Sequence, residues 1–412
     1  MKQSKIIYDQ LSPIKIFSLL YFSYVLSALG NVLLIEKNEY SNYVILQYLV
    51  VCIIGYISFF VSYINYKPII KFHKYDNKYK LKLYNIFLFF TFFIVIINYN
   101  YVVSLLNPYR AVAYTDRIAT LAEGTSDFNG AESNFNDLTF LLIYLSLFYK
   151  SIMNKKLNKI VLLLGLLLLL TTVMSGSKSV LIFYFLFIMI SYISNGNKIN
   201  FYLLSPLLIF IYVFSIMISH VRNTTLLLEM FANGKDIIFD NLLILSPLNS
   251  GELIVPKNLM KIIDSINNND VSLSYGVNIL NDFISFIPKF IWSDRPLNTS
   301  LYYAKTFFPN DFEKGLGFGN FILTEGYLSF GILGVILEML FFGLFLKKTY
   351  IFFINRQDSP LYVFLYVVFL QFFLLFCIRT GFVISLKTVF LILSPFLLID
   401  FIARVKNKYV NE

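Results

Sequence analysis

The residues able to do chemistry in this chain are a handful of charged groups set at the ends of long apolar runs. Lys178 stands in Ser175-Gly176-Ser177-Lys178-Ser179, a tight hairpin where Ser179 can cap the following helix. Backbone N–H groups, a helix N-terminus and an ammonium then face one point, which is an anion site. Alone, the same five residues read more simply as a turn with a capping serine and a snorkelling lysine. His220 and Arg222 leave another run together, and Arg379 stands in the turn Arg379-Thr380-Gly381, with Lys387 about two turns further on. Lys289 and Arg295 flank Trp292. Each cation separately could neutralise a phosphate or cap a helix C-terminus. Together they describe a positively lined pocket for a phosphate or pyrophosphate, with Ser177 beside Lys178 as a further donor.

A general base requires an acid, and Glu325 in Glu325-Gly326-Tyr327 is the leading candidate. It lies near the end of an apolar run, where an ionisable group is costly and functional by default. A structural pair with Lys387 or Arg379 is the plainer explanation. Glu338, further along the same run, reads as a hydrogen-bonding structural group. Asp311 and Glu313 are weak evidence for a metal. The chain has no His/Cys ligand spacing, phosphate-cradling glycine motif or dinucleotide fingerprint, so neither metal nor cofactor is expected.

These groups are held by a strongly apolar chain. Hydrophobic residues make up 58% of its 412 residues and charged ones 14%, far below the roughly 25% of soluble domains. That excludes a soluble enzyme, a disordered chain and a disulfide-stapled secreted domain, and leaves an all-helical polytopic membrane bundle. Cys52 and Cys377 lie within apolar runs, where a disulfide is not expected. Apolar runs define about ten spans, at 14–35, 43–64, 83–106, 137–149, 160–174, 180–193, 201–219, 321–346, 361–378 and 382–402. Those at 137–149, 160–174 and 180–193 are short for a perpendicular crossing. The first run lacks a small-residue cleavage site and reads as an uncleaved span.

Loop charge orients the bundle. With the N-terminus inside, the lysine-rich segments (Lys67 to Lys82, Lys150 to Lys159, Lys347 to Arg356, Arg404 to Lys408) all face the cytoplasm. The net charge of +10 follows from these loops and gives no reason to expect nucleic-acid binding. His73, in the first of them, has no evident role. Both termini are then cytoplasmic, and the long segment 220–320 lies outside. The chain therefore divides into a first bundle half (1–219, with outer loop 107–136), a large outer loop with interfacial helices (220–320) and the last spans (321–412). Within the loop, residues 279, 280, 283, 284, 287, 290 and 291 share a helical face, which predicts a helix lying on the membrane surface near Trp292 or packing over the outer ends of the bundle.

The arrangement resembles the Wzy-type polymerases of O-antigen and capsular oligosaccharide repeat units. The resembling residues are Gly176-Ser177-Lys178 after a span, Ile287-Pro288-Lys289 before Trp292 and Arg295-Pro296, and Glu325-Gly326-Tyr327 with Phe330-Gly331 and Gly334 opening a span after the large loop. Lys178 stands where the family often has Arg, and eleven residues separate Arg222 from Gly234 where some members have ten intervening. The resemblance implies a bundle like the GT-C membrane glycosyltransferases, acting at the outer face of a bacterial inner membrane. Its substrates would be undecaprenyl-pyrophosphate-linked oligosaccharides, and a chain-length regulator is a candidate partner. Lys178, Ser177, Arg295, Lys289 and Lys387 would hold pyrophosphate, Arg222 and Arg379 would stabilise its departure, and Glu325 would be the base. His220, Tyr327 and Trp292 would contact sugar. An O-antigen ligase using the same lipid donor is the nearest rival. A repeat-unit flippase would place charges within spans joined by short loops, and a membrane scaffold would not require the outer cations.

Overall fold

The computed structural model describes residues 12–36, 39–66, 77–97, 255–287, 291–313 and 319–408, with positions 71, 73 and 143. Within them the chain is all-helical, and six helices are long and apolar enough to cross a membrane. We label α1 (Pro13–Gly30, prolonged by a wider turn at Asn31–Ile35), α2 (Asn42–Asn65) and α3 (Asn77–Ile97). Next come the loop helices α4 (Lys257–Asn267), α5 (Val277–Ile284), α6 (Thr299–Phe307) and α7 (Pro309–Glu313). The last membrane helices are α8 (Thr324–Asn355), α9 (Pro360–Thr380, with a wide turn at Leu370–Leu375) and α10 (Phe382–Lys408). These six candidate spans correspond to the expected runs 14–35, 43–64, 83–106, 321–346, 361–378 and 382–402. The runs at 137–149, 160–174, 180–193 and 201–219 lie outside the described residues.

Local signals start several of these helices. Ser41 accepts the Val44 N–H at 3.3 Å and Asn298 accepts that of Leu301 at 2.9 Å, while Pro13 and Pro360 stand at first-turn positions where a missing N–H costs nothing. α9 is the central post, with 89% of its membrane-length window buried, against 17% for α3. The outer faces of the surrounding helices expose Leu19, Ile53, Phe89, Leu337 and Phe401, as lipid contact requires.

α2 and α8 pack most closely. A Cβ added to Gly343 would stand 2.6 Å from the Phe59 carbonyl oxygen and collide with the Ser62 hydroxyl, so only glycine allows this approach. Above it, Phe17 packs on Phe59 (4.4 Å between centroids) and Phe342 (5.0 Å).

Connections segregate to the two ends. At one, the His73 N–H donates to Asn355 O (2.7 Å), Lys80 pairs with Asp358 (3.0 Å), and Tyr362 donates to Asp400 (2.5 Å). At the other, α4 lies over the α1–α2 connection, where Lys257 meets Glu36 and Glu39 and Asn267 donates to Gln47 at 2.7 Å. The described parts of the connections near Lys80 and Asn355 and of the large loop are thus on opposite ends.

α8 departs from the single span expected at 321–346. Its helix breaks at Phe330 (φ −139°, ψ 22°) and Gly331 (φ 61°, ψ −140°). Gly326 and Gly334 would be about 12 Å apart on a continuous helix. Here a Cβ on Gly326 would meet the Gly334 oxygen at 2.7 Å, so the half-helix 324–329 doubles back along the long arm. Replacing Gly343 by Leu is expected to cost about 1–3 kcal/mol through overpacking against α2. Thermal unfolding in detergent checks this, the expected outcome being a clearly lowered midpoint.

Candidate functional site

The doubled-back half-helix seats Glu325 inside the protein, 1% exposed. Its Oε2 accepts the N–H groups of Phe382 (3.1 Å) and Val383 (3.5 Å), the first free amides of α10. Glu338, on the long arm of α8, accepts the Gly326 N–H at 2.6 Å with its own Oε2. Each carboxylate thus sits on a helix N-terminus, where unsatisfied donors and the helix dipole favour negative charge. Neither Oε1 receives a backbone N–H, and the Glu325 and Glu338 carboxyl groups stand within hydrogen-bonding reach of each other. Gly381 (φ +85°) makes the seat possible, because a Cβ there would run into the Glu325 carboxylate.

A third buried acid joins them. Asp282 on α5 accepts the Thr299 N–H at 2.7 Å and the Thr299 hydroxyl at 2.5 Å, anchoring the start of α6, and it acts electrostatically on both glutamates. Burial pushes its carboxyl up to about 6, against the lowering effect of the Thr299 hydrogen bonds.

Two of the expected cations meet at the foot of α5. Arg295 donates to the carbonyl oxygens of Ser285 and of Ile287, the latter at 2.6 Å, and Lys387 donates to the same Ser285 oxygen. They cap the C-terminal end of α5, whose carbonyls lack helical partners. Among the described residues neither has a carboxylate within ion-pair distance. The pairing of Glu325 with Lys387 or Arg379, offered as the plainer explanation of that acid, is not what the structure shows: helix amides take the place of the cation.

Arg379 lies in the last turn of α9, its guanidinium 5.7 Å from the Phe376 ring, beside the bridge of Asn320 to Thr380. Tyr327 is buried within the half-helix, and Trp292 is 43% exposed. Lys178, Ser177, His220, Arg222 and Lys289 lie outside the described residues. Asp311 and Glu313 fall in α7, and among the described residues no three His, Cys, Asp or Glu gather as metal ligands. α5 packs along α8 and α10, with the Tyr275 N–H bonded to Ser329 O (3.0 Å) at its head and Lys387 at its foot.

Sequence reasoning passed over Asp282 and Gly381. An aspartate within the apolar stretch 275–292 was the available signal, since an acid there needs a buried partner.

The arrangement offers two cations that share one neutral acceptor, next to carboxylates shielded from water. Compared with known proteins, the chain matches no family model, no curated protein and no solved structure. Fold and composition define the class: a helical membrane protein.

Asp282 holds its proton more readily in the folded state than in the unfolded chain, where an aspartate titrates near 4. Folding therefore takes up a proton between about pH 4 and pH 6, and stability falls as pH rises through that window. The thermal midpoint of the wild type is expected to drop from pH 4.5 to pH 7 more than that of Asp282→Asn, measured side by side in detergent.

Proposed function

We propose that this chain is a membrane glycosyltransferase that polymerises undecaprenyl-pyrophosphate-linked oligosaccharide repeats into O-antigen or capsular polysaccharide at the outer face of a bacterial inner membrane. The observation that carries the reading is the convergence of Arg295 and Lys387 on one carbonyl oxygen without a carboxylate partner among the described residues. Two cations sharing a neutral acceptor in a low-dielectric place favour the arrival of an anion. A pyrophosphate fits that need, with its lipid tail among the helices.

In the reaction, the bond from the anomeric carbon of the growing chain to its pyrophosphate breaks. The acceptor hydroxyl of the next lipid-linked repeat forms the new glycosidic bond and gives up its proton. Charge builds on the departing pyrophosphate, where Arg295 and Lys387, with Arg379, Arg222, Lys289 and Lys178 as further donors, would stabilise it. Glu325 is the nominated proton acceptor, through the Oε1 that the helix amides leave unused. Ser177, His220, Tyr327 and Trp292 are left as donor and sugar contacts, and a chain-length regulator remains a candidate partner.

A ligase would use the same donor and differ only in acceptor. The broken α8, with acids at half-helix N-termini, is the one feature that favours a flippase instead.

The test is the surface-polysaccharide profile of a strain lacking the protein. A polymerase predicts loss of the ladder, with single repeats still attached to the lipid core. Polymer stranded on carrier lipid identifies a ligase, absence of repeats from the outer face identifies a flippase, and an unchanged profile overturns all three. Complementation with Lys387→Ala plus Arg295→Ala is expected to leave protein in the membrane and single repeats only. Glu325→Gln is expected to behave likewise if Glu325 is the base, whereas a purely structural role predicts partial polymer and lowered abundance.

A further inference from the structure

α5 has its faces reversed. Asn278, Asp282 and Ser285, spaced along one side, are buried, with Asp282 at 0% exposure. Val277, Leu280, Phe283 and Ile287 on the other side are exposed, Leu280 at 62%. A helix bathed in water buries its apolar side and exposes its polar one. The apolar side of α5 therefore faces something other than water.

The position of α5 says what that is. Its head is tied to the tip of α8, where the Ser274 and Tyr275 N–H groups bond Leu328 O and Ser329 O and Phe330 stacks against Gly276. Its foot is tied to α10 at Lys387, five residues, or about 7 Å along the axis, inside the start of that span. Being about 12 Å long, α5 runs down between the two membrane helices instead of across their ends. Its exposed side continues the lipid-facing strips of its neighbours, Leu333 and Leu337 on α8 and Phe390 on α10.

We infer that the segment 275–287 is a re-entrant membrane segment. Its partner is the hydrocarbon of the outer leaflet, its apolar side lies on acyl chains, and its polar side closes over Asp282, Glu325 and Glu338. This makes α5 the wall that separates lipid from the buried acids. The inference does not depend on the reaction proposed above.

The chain contains a single tryptophan, Trp292, five residues beyond this segment in sequence, so the unmodified protein carries its own probe. In vesicles of phosphatidylcholine brominated along one acyl chain, Trp292 emission is expected to lose most of its intensity, while iodide in the water phase removes little. Strong quenching by iodide with none by bromolipid would overturn the inference. Leu280→Cys gives an independent readout, since native Cys52 and Cys377 are buried. A membrane-impermeant maleimide is expected to label exposed Asp270→Cys fully and Leu280→Cys hardly at all. Equal labelling of the two would place α5 in water and overturn the inference.

Discussion

The half of this bundle that carries the large loop depends on a buried carboxyl group held by helix amides in place of a cation. An acid inside an apolar bundle is costly unless its oxygens find hydrogen-bond partners. Glu325 finds them in the Phe382 and Val383 N–H groups, and Glu338 in that of Gly326. An anion at a helix N-terminus is typically worth about 0.3–1 kcal/mol, and up to about 2 when partly buried. The larger consequence is geometric. To bring Glu325 to the start of α10, residues 324–329 must double back. That requires the break at Phe330–Gly331, the close approach of Gly326 to Gly334, and a residue without Cβ at Gly381.

The cations follow from the same economy of charge. Because helix amides satisfy the acids, Lys387 and Arg295 are released from neutralising them and turn instead to the open carbonyls of α5. A carbonyl dipole only partly compensates two charges in an apolar setting, so this is where an incoming anion gains most. Acids on one side of α5 and cations at its foot put a carboxyl cluster and a cation pair on neighbouring surfaces, as the proposed glycosyl transfer from a pyrophosphate would require.

Much of the membrane architecture was legible, because apolarity alone dictates a span. Six of the expected runs appear as helices, and the described connections around Lys80 and Asn355 lie together at one end. The break in α8 was not legible, since a broken helix is as apolar as a whole one. Gly326, Gly331 and Gly334 were visible but also suit a straight helix against a close neighbour. For α5, the periodicity identified the helix but not which side faces in. That was decided by Thr299, a partner seventeen residues away whose hydroxyl and N–H capture Asp282. Lys387 and Arg295 meet on the Ser285 carbonyl, and a backbone acceptor carries no sequence signature.

The claim that Glu325 is seated on the start of α10 is tested most directly by a double-mutant cycle with Gly381. Thermal midpoints would be compared for the wild type, Glu325→Ala, Gly381→Ala and the double variant. A methyl group at 381 collides with the Glu325 carboxylate in addition to straining the backbone. The account therefore predicts that Gly381→Ala costs clearly less in the Glu325→Ala background than in the wild type. Equal costs in the two backgrounds would mean the carboxylate does not occupy that seat, and would contradict the account.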